Sequence, residues 1–384
     1  MQAVLRLDLP VVRRLYDLLD DLQYDAVQRT LRPHYFSWPF PALEMFQKLL
    51  LHLPERQRVS YEVLLLGQSA RRERLDTLWG DQLVNDLQDI GLLEADRDDR
   101  IRTANYSVVS YLGRYFVVSI NPYYPASRDP DASVYIGADS LTLAASLPLH
   151  RRVESCLDLC AGSGIQAILM ASVAENVVAV ELNERAVAAA RFNAALNGVE
   201  DRVRVMQGDL YTAAPDGTYD VIVSNPPFLP VPNGVHHAMC GHGGVDGLAI
   251  LVPLLAGIPG RLALQGIAMV YAEGVGDAEG PFVRDFLRKL AQDHGLDICL
   301  LLVSRLSIKN TLVLRAASLS RLKRPTAELV QWRDLYRQLG ATYTYNYLVR
   351  IRRGAGTVRQ VPAFDPHRAE QGIEIQPGVV IKAH

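Results

Sequence analysis

Short apolar runs alternate with helical spacers through the middle of the chain. The runs begin at Val153, Val177, Val203 and Tyr219, and each is long enough for one strand. Apolar runs of this kind, separated by segments with helical periodicity, are typical of parallel strands joined by crossover helices. We therefore predict an α/β fold with a doubly wound, mostly parallel sheet.

The N-terminal part of the chain follows a different pattern. Residues 11–90 have apolar positions at helical spacing, and a polar turn separates them from two alternating runs, Ile101–Val109 and Tyr115–Ile120. Helices followed by a turn and two strands predict an α+β, winged-helix-like domain over residues 1–125. The Pro-rich segment Asn121–Pro125 marks the linker at its end.

Two interpretations of this N-terminal domain remain open. Arg71, Arg72 and Arg74 would form the basic face of a DNA-binding module, but Glu73 and Asp76 interrupt them. The other interpretation is a domain that positions the substrate or forms a dimer, with a solvated charged surface. The interrupted charge favours the second interpretation, so binding of nucleic acid is possible but not favoured.

The C-terminal part of the chain is basic and contains several tyrosines. From Ala317 to His384 there are 11 Lys and Arg against 5 Asp and Glu, in a chain whose formal net charge is −2. A helical pattern covers Ala327–Leu339, and the alternation in Tyr343–Arg353 predicts an exposed-edge strand with an aromatic and basic face. We treat residues 317–384 as a C-terminal extension.

Length and composition restrict the class of protein. The chain has 384 residues, of which 49% are hydrophobic, so two domains and a large core are expected. Its four cysteines show no paired spacing, and Met1–Asp8 lacks the pattern of a signal peptide. No apolar run approaches about 18 residues. We therefore expect a cytoplasmic protein without a membrane partner.

Polar groups cluster directly after the predicted strands. The glycine loop Asp158–Gly164 follows the first strand, Glu181 and Asp209 follow the second and third, and Asn225–Phe228 follows the fourth. Open α/β sheets bind ligands at the carboxyl ends of their strands. Glycines let a backbone approach a ligand closely. Glu181 is placed to accept hydrogen bonds from ribose hydroxyls, and Asp209 from an adenine amino group.

These motifs together resemble the Rossmann-like, class I S-adenosylmethionine-dependent methyltransferases. The Asn-Pro-Pro-Phe sequence is similar to that of glutamine-amide, ribosomal-guanine and adenine N-methyltransferases. Gly243–Leu248 resembles a Gly-Gly-x-Asp-Gly segment of the glutamine and ribosomal-RNA members. The resemblance implies a methyltransferase domain over residues 126–316. It also implies an S-adenosylmethionine site, for which the candidate residues are Asp158, Cys160, Gly162, Gly164, Glu181, Asp209, Leu210 and Asn225.

The same resemblance implies that the sheet is closed by a pair of strands, one of them antiparallel. We place this pair at Leu296–Val303 and Thr311–Leu314, after a fifth strand at Gly266–Ala272. A helix precedes the first strand, and we predict that Asp139 or Ser140 caps its N-terminus.

The Asn-Pro-Pro-Phe motif suits methyl transfer to a planar, conjugated nitrogen. Such a nitrogen has a delocalised lone pair and is a weak nucleophile, so its positioning matters. The side-chain oxygen of Asn225 and the carbonyl of Pro226 can accept hydrogen bonds from an NH₂ group, and Phe228 offers a face for stacking. We predict these three as catalytic residues. The acceptor would be an amide, guanidino or amino group of a small molecule or protein side chain.

Three other functions fit part of the pattern. Methylation of ribosomal RNA or another nucleobase would use the same motif. Gly162–Ala167 with Glu181 also matches the G-x-G-x-x-A fingerprint of NAD-dependent dehydrogenases, although a dehydrogenase would leave Asn225 unexplained. A non-enzymatic regulator would only sense a ligand and would not need the Asn225 motif.

A metal site is not predicted. His236–His242 contains three histidines and Cys240, but zinc ligands usually pair at tighter, repeated spacing. We interpret this segment as a loop that faces the substrate.

Overall fold

The structure is a computed structural model that describes residues 4–35, 43–119, 134–321, 324–363, 373–376 and 379–381. The predicted linker at Asn121–Pro125 lies outside these residues. The helices are α1 (Leu9–Asp21), α2 (Tyr24–Tyr35), α3 (Leu43–Leu50), α4 (Glu55–Ser60), α5 (Arg72–Trp79), α6 (Asp81–Asp89), α7 (Ala138–Ser146), α8 (Ile165–Met170), α9 (Glu184–Leu196), α10 (Leu251–Arg261), α11 (Val283–His294), α12 (Ile308–Arg321) and α13 (Ala327–Gln338).

The strands form one large sheet and three small ones. They are β1 (Ala70–Arg71), β2 (Leu93–Asp96), β3 (Arg100–Thr103), β4 (Ser107–Tyr111), β5 (Arg114–Val118), β6 (Val153–Leu159), β7 (Ala174–Glu181), β8 (Val203–Gln207), β9 (Tyr219–Ser224), β10 (Leu262–Asp277), β11 (Gly280–Pro281), β12 (Leu296–Ser307), β13 (Tyr343–Arg353), β14 (Val358–Pro362), β15 (Ile373–Gln376) and β16 (Val379–Ile381).

The large sheet has the strand order β14-β12-β13-β10-β9-β6-β7-β8, and β11 pairs with β10. Strands β8, β7, β6, β9 and β10 run parallel to one another, whereas β13 is antiparallel to both of its neighbours. The prediction of a mostly parallel sheet with an antiparallel strand is therefore confirmed.

Both faces of the sheet are covered by helices. Cys156 of β6 packs into one core together with residues of α8 and α9. Its neighbour Leu157 packs into a second core, on the opposite face, with residues of α10 and α11. Successive side chains of a strand point to opposite faces, so a strand that is buried on both faces reads as a continuous apolar run.

Two predictions for the end of the sheet are wrong. Thr311–Leu314, predicted as a strand, lies within α12, where Ile308 and Leu312 pack in a small apolar cluster with Trp332 and Tyr336. A four-residue apolar run fits either a strand or one turn of a buried helix, and here the helical packing prevails. The antiparallel partner of β12 is β13.

Strand β13 is also not at an exposed edge. It pairs with β10 on one side and with β12 on the other. Tyr345, Tyr347 and Val349 are buried in one core, and Leu348 lies in the other. The alternation in the sequence thus reflects one apolar face in the first of these cores and a second face that carries the polar residues Thr344 and Asn346. The predicted boundary at residue 317 falls within α12, and the strand beyond it belongs to the central sheet.

The N-terminal part joins the sheet through a hairpin that lies on α9. The Asn193 amide accepts a hydrogen bond from Val117 N (2.7 Å) and donates to Val117 O (3.1 Å). One turn later, Asn197 makes the same pair of bonds with Tyr115, at 2.9 and 2.7 Å. Both asparagines are buried, so these side chains satisfy the otherwise unpaired edge of β5.

No helix among the described residues is long and apolar enough to cross a membrane.

Asn197→Ala should lower the free energy of unfolding by about 1–3 kcal/mol, because it leaves the backbone N–H and C=O of Tyr115 buried without partners. Denaturant titration measures this difference. Asn176→Ala, at an exposed position of β7, is the matched control and should change the stability little. Equal stability of the two variants would contradict the docking role of α9.

Candidate active site at the carboxyl edge of the sheet

A cavity of about 600 Å³ opens at the carboxyl ends of β6, β7, β9 and β10. Nine of the ten predicted site residues line it. These are Asp158, Cys160, Gly162, Glu181, Asp209, Leu210, Asn225, Pro226 and Phe228. The edge where parallel strands end has therefore brought together residues that are about 70 positions apart in the sequence.

The loop after β6 alternates between ordinary and left-handed backbone conformations. Cys160 (φ 57°), Gly162 (φ 54°) and Gly164 (φ 77°) all have positive φ. A Cβ atom on Gly162 would meet no other atom within 4 Å, whereas one on Gly164 would lie 3.3 Å from Cβ of Ala190 in α9. Gly164 does not line the cavity. Its small size serves the packing of the loop on α9, and Gly162 leaves the backbone accessible.

Asp158 is fully buried at the end of β6. Its Oδ2 accepts a hydrogen bond from Ala167 N at 3.0 Å, and its Oδ1 has no hydrogen-bond partner. Burial raises the pKa of this carboxyl to about 8, although the bond from Ala167 opposes the shift. Asp158 therefore holds the start of α8 and presents one unused oxygen atom.

Glu181 braces two segments at the end of β7. One carboxylate oxygen accepts from Gly162 N and the other from Asn183 N, each at 2.8 Å. Burial raises the pKa of Glu181, and these backbone donors lower it. The carboxylate fixes the glycine loop, and the remaining lone pairs of its oxygens are free for a ligand.

Asp209 and Leu210 form the third part of this wall. Asp209 is exposed, and its side chain makes no capping bond to the short 3₁₀ turn that follows. Leu210 adopts a positive φ of 42°, which is unusual for a residue with a side chain. The turn thus leaves the Asp209 carboxylate unengaged at the cavity.

Asn225, directly after β9, has a defined amide orientation. Its Nδ2 donates to Asp139 Oδ2 (2.8 Å) and to Ser140 Oγ (3.3 Å), both in α7. Its Oδ1 is buried without a hydrogen-bond partner. Because the NH₂ end is held by α7, the oxygen end remains as an unsatisfied acceptor at the cavity.

The capping role predicted for Asp139 or Ser140 is corrected by this contact. The N-cap of α7 is Gly137, and Ser140 completes the cap by accepting from Gly137 N at 3.4 Å. Asp139 lies two residues after the N-cap, and its carboxylate accepts a hydrogen bond from Asn225 instead.

The glycines of Gly243–Leu248 support the Phe228 backbone. A Cβ atom on Gly243 would lie 2.7 Å from the Phe228 backbone, and one on Gly247 only 2.4 Å from Phe228 O. Gly243 N also donates to Leu229 O at 2.9 Å. Glycine is therefore required here, because any side chain would displace the loop that follows Asn225.

The comparison with known families agrees with this geometry. Residues 135–239 match the family model described as the methyltransferase small domain. Residues 135–239 are thus similar to a methyltransferase small domain. This domain includes α7, the glycine loop, Glu181 and the Asn225 motif, and it confirms the resemblance stated from the motifs.

Curated relatives of two kinds match the domain. Ribosomal protein uL3 glutamine methyltransferase of Bordetella pertussis is 37% identical over 129 residues, which are 31% of this chain and 43% of that protein. tRNA1(Val) (adenine(37)-N6)-methyltransferase of Klebsiella pneumoniae is 40% identical over 99 residues, covering 24% and 40%. The chain thus spans less than half the length of these relatives. The Shewanella sp. MR-4 protein with the latter name is 27% identical, and the match covers 82% of it.

Among solved structures, Trm5b from Pyrococcus abyssi aligns over 68% of this chain and 62% of its own. Its TM-score is 0.40 and the sequence identity is 17%.

The family match ends at residue 239, before several residues that complete the cavity. Tyr271 and Glu273 of β10 and Asn346 of β13 line it and were missed by sequence reasoning. Tyr271 meets Phe228 edge to face at 5.9 Å and donates to Asn346 Oδ1 at 3.0 Å. The one available signal was Glu273, a carboxylate just after the predicted apolar strand 266–272.

The histidine-containing loop contributes to the lining of the cavity, and its contact with a substrate stays a prediction. His237, Cys240 and His242 line the cavity. No group of three His, Cys, Asp or Glu side chains suited to a metal ion occurs in the part of the chain that the structure describes. Burial lowers the pKa of His237, which favours its neutral form.

Glu181→Ala should weaken S-adenosylmethionine binding by about 1–3 kcal/mol, because it removes the brace of the glycine loop and two acceptor atoms. Isothermal titration measures the affinity. Glu175→Ala, at an exposed position of the same strand, is the control. Unchanged affinity in a folded Glu181→Ala protein would place the cofactor elsewhere, and tight NAD binding would favour the dehydrogenase alternative.

Proposed function

We propose that this protein is an S-adenosylmethionine-dependent N-methyltransferase. Its acceptor would be a planar, conjugated nitrogen, in an amide, guanidino or amino group of a small molecule or protein side chain. The observation that carries this proposal is the Asn225 amide, whose oxygen is unsatisfied and whose orientation is fixed by Asp139. S-adenosylmethionine supplies a methyl group activated by its sulfonium.

The residues of the cavity fit this cofactor. The open glycine loop, the unpartnered Oδ1 of Asp158, the remaining lone pairs of the Glu181 oxygens and the carboxylate of Asp209 offer hydrogen-bond acceptors along one wall. Asp158, Cys160, Gly162, Glu181, Asp209 and Leu210 would hold S-adenosylmethionine, with Gly164 supporting the loop from outside. Acceptor oxygens suit ribose hydroxyl, amino and sulfonium groups.

Asn225 and Pro226 would act as a clamp on the reacting nitrogen. Two acceptors that receive both N–H groups hold the nitrogen in place and favour its lone pair pointing toward the methyl group. The clamp matters most as the nitrogen becomes tetrahedral, so its contribution is to the transition state. Phe228, set against Tyr271, would contact the flat face of the acceptor.

Methylation of a nucleobase is the second candidate. Some relatives are named as tRNA adenine N6-methyltransferases. The N-terminal helices and the sheet order β1-β3-β2 support a winged-helix-like module within residues 1–125. Helix α6, the last helix before β2 in this module, contains Asp81, Asp86 and Asp89 and no basic side chain. Phosphates require cations, so we place nucleic acid second.

The dehydrogenase and regulator alternatives are less well supported. Neither gives a role to the Asp139–Asn225 bond or to an amide oxygen without a partner. The curated relatives reported above are named as methyltransferases. We place the protein in the cytoplasm, where ribosomal proteins and tRNA occur, and we propose that the catalytic unit extends past residue 316 to include β13, which carries Asn346 to the cavity.

Asn225→Ala should reduce methyl transfer by on the order of a hundredfold or more, because the transition state loses a pre-placed acceptor. The affinity for S-adenosylmethionine should change little. Asn225→Asp should be milder, since a carboxylate still accepts hydrogen bonds. Single-turnover transfer and cofactor titration on the same preparations test this. Normal turnover in Asn225→Ala would eliminate the clamp, and oxygen or carbon acceptors would have to be considered.

Asp139→Ala should lower turnover by about tenfold or more, because the Asn225 amide can then rotate and present its NH₂ group to the acceptor. Asp139→Asn keeps an oxygen that can accept from Asn225, so it should recover much of the rate. Both variants should keep the cofactor affinity. If Asp139→Ala turned over normally, the orientation of Asn225 would not depend on α7.

A further inference from the structure

The cavity is lined by five carboxyl groups and, among the described residues, by no Lys or Arg. The five are Asp139, Asp158, Glu181, Asp209 and Glu273. Four of these groups already have a role. Asp139 holds Asn225, Asp158 holds the start of α8, Glu181 holds the glycine loop, and Asp209 is assigned to the cofactor side. Glu273 has no role yet.

The Glu273 carboxylate has no partner within the described part of the chain. It is half-buried, and no hydrogen bond or ion pair is made to it by the residues described. The charge of Arg315 lowers the pKa of Glu273 electrostatically, without a hydrogen bond or ion pair between them. The Arg315 guanidinium itself lies 3.5 Å over the Trp332 ring and donates to Tyr336 OH at 3.3 Å. A partly buried acceptor without a donor carries an uncompensated desolvation cost, which a ligand with N–H groups would remove.

The position of Glu273 relates it to the methyl acceptor. It is two residues after Tyr271 on the same face of β10, and Tyr271 contacts Phe228 of the Asn225 motif. On the neighbouring strand it faces Asn346, which bonds to Tyr271 and Ser304 and is therefore occupied. Glu273 thus lines the cavity next to the aromatic pair that contacts the Asn225 motif.

We propose that Glu273 selects the acceptor by receiving a hydrogen bond from an N–H group other than the reacting nitrogen. This inference rests on the proposed function and, among its acceptors, favours a carboxamide carried by a polypeptide, whose backbone supplies such donors. An adenine ring does not fit, since next to its amino group it offers only the acceptors N1 and N7. The acidic lining also disfavours a phosphate backbone.

Methyl transfer by Glu273→Gln tests this assignment, because the change keeps the shape and removes the charge. The probes are a blocked Ala-Gln-Ala peptide and an adenosine-containing oligonucleotide, with radiolabelled S-adenosylmethionine as donor. We expect the KM for the peptide to rise roughly tenfold with a smaller change in kcat, since a hydrogen bond to a charged acceptor is replaced by a weaker one to a neutral amide oxygen. Cofactor affinity should stay within about twofold of the unaltered protein. Glu175→Gln removes a charge from an exposed site and should behave as the unaltered protein.

Three results would overturn the assignment. Peptide kinetics of Glu273→Gln equal to those of Glu175→Gln would show that Glu273 does not touch the acceptor. A parallel loss of cofactor affinity would assign Glu273 to S-adenosylmethionine. Preferred transfer to the oligonucleotide by the unaltered protein would favour a nucleobase. By contrast, failure of the unaltered protein to bind S-adenosylmethionine would contradict the proposed function itself, whereas binding without transfer to the peptide would exclude only the polypeptide carboxamide. Glu273→Ala, checked for an unchanged melting temperature, repeats the comparison without a side-chain amide.

Discussion

The pairing of β13 between β10 and β12 is the constraint on which the rest of the molecule depends. Its backbone is bonded on both sides, from Ala268 to Gly276 of β10 and along β12. Without it, the sheet would separate into two parts with exposed edges, which proteins avoid. Because β13 also carries Asn346 to the cavity, the basic C-terminal region both closes the sheet and builds one wall of the site.

The site places acidic groups in a desolvated environment and compensates them with backbone donors. Asp158 is held by Ala167 N, and Glu181 by Gly162 N and Asn183 N. These bonds offset part of the desolvation that raises both pKa values. The loop is rigid as a result, since moving it would leave a buried carboxylate unpaired. Such a surface favours a ligand with hydroxyl, amino or cationic groups and disfavours anions.

Sequence patterns predicted what depends on local order and missed what depends on long-range pairing. Strands β6 to β10 have apolar runs that identify them, and the rule for carboxyl edges then brings Asp158, Glu181 and Asn225 together. The helical state of α12 depends on packing against Trp332, which a four-residue apolar run does not specify. The alternation of β13 reports the difference between its two faces and not the pairing of its two edges, so the sequence did not show that β13 lies between β10 and β12.

The bond between Asp139 and Asn225 decides which end of the Asn225 amide faces the cavity. An asparagine amide has a donor end and an acceptor end of nearly equal shape, and the strand end alone does not decide which faces a ligand. The partners that decide it are 86 and 85 residues earlier in the chain, in the first turn of α7. Because Asp139 Oδ2 accepts from the Asn225 amide, it fixes the NH₂ end and turns the oxygen toward the cavity. The family match from residue 135 to residue 239 includes both α7 and the Asn225 motif, and therefore both sides of this contact.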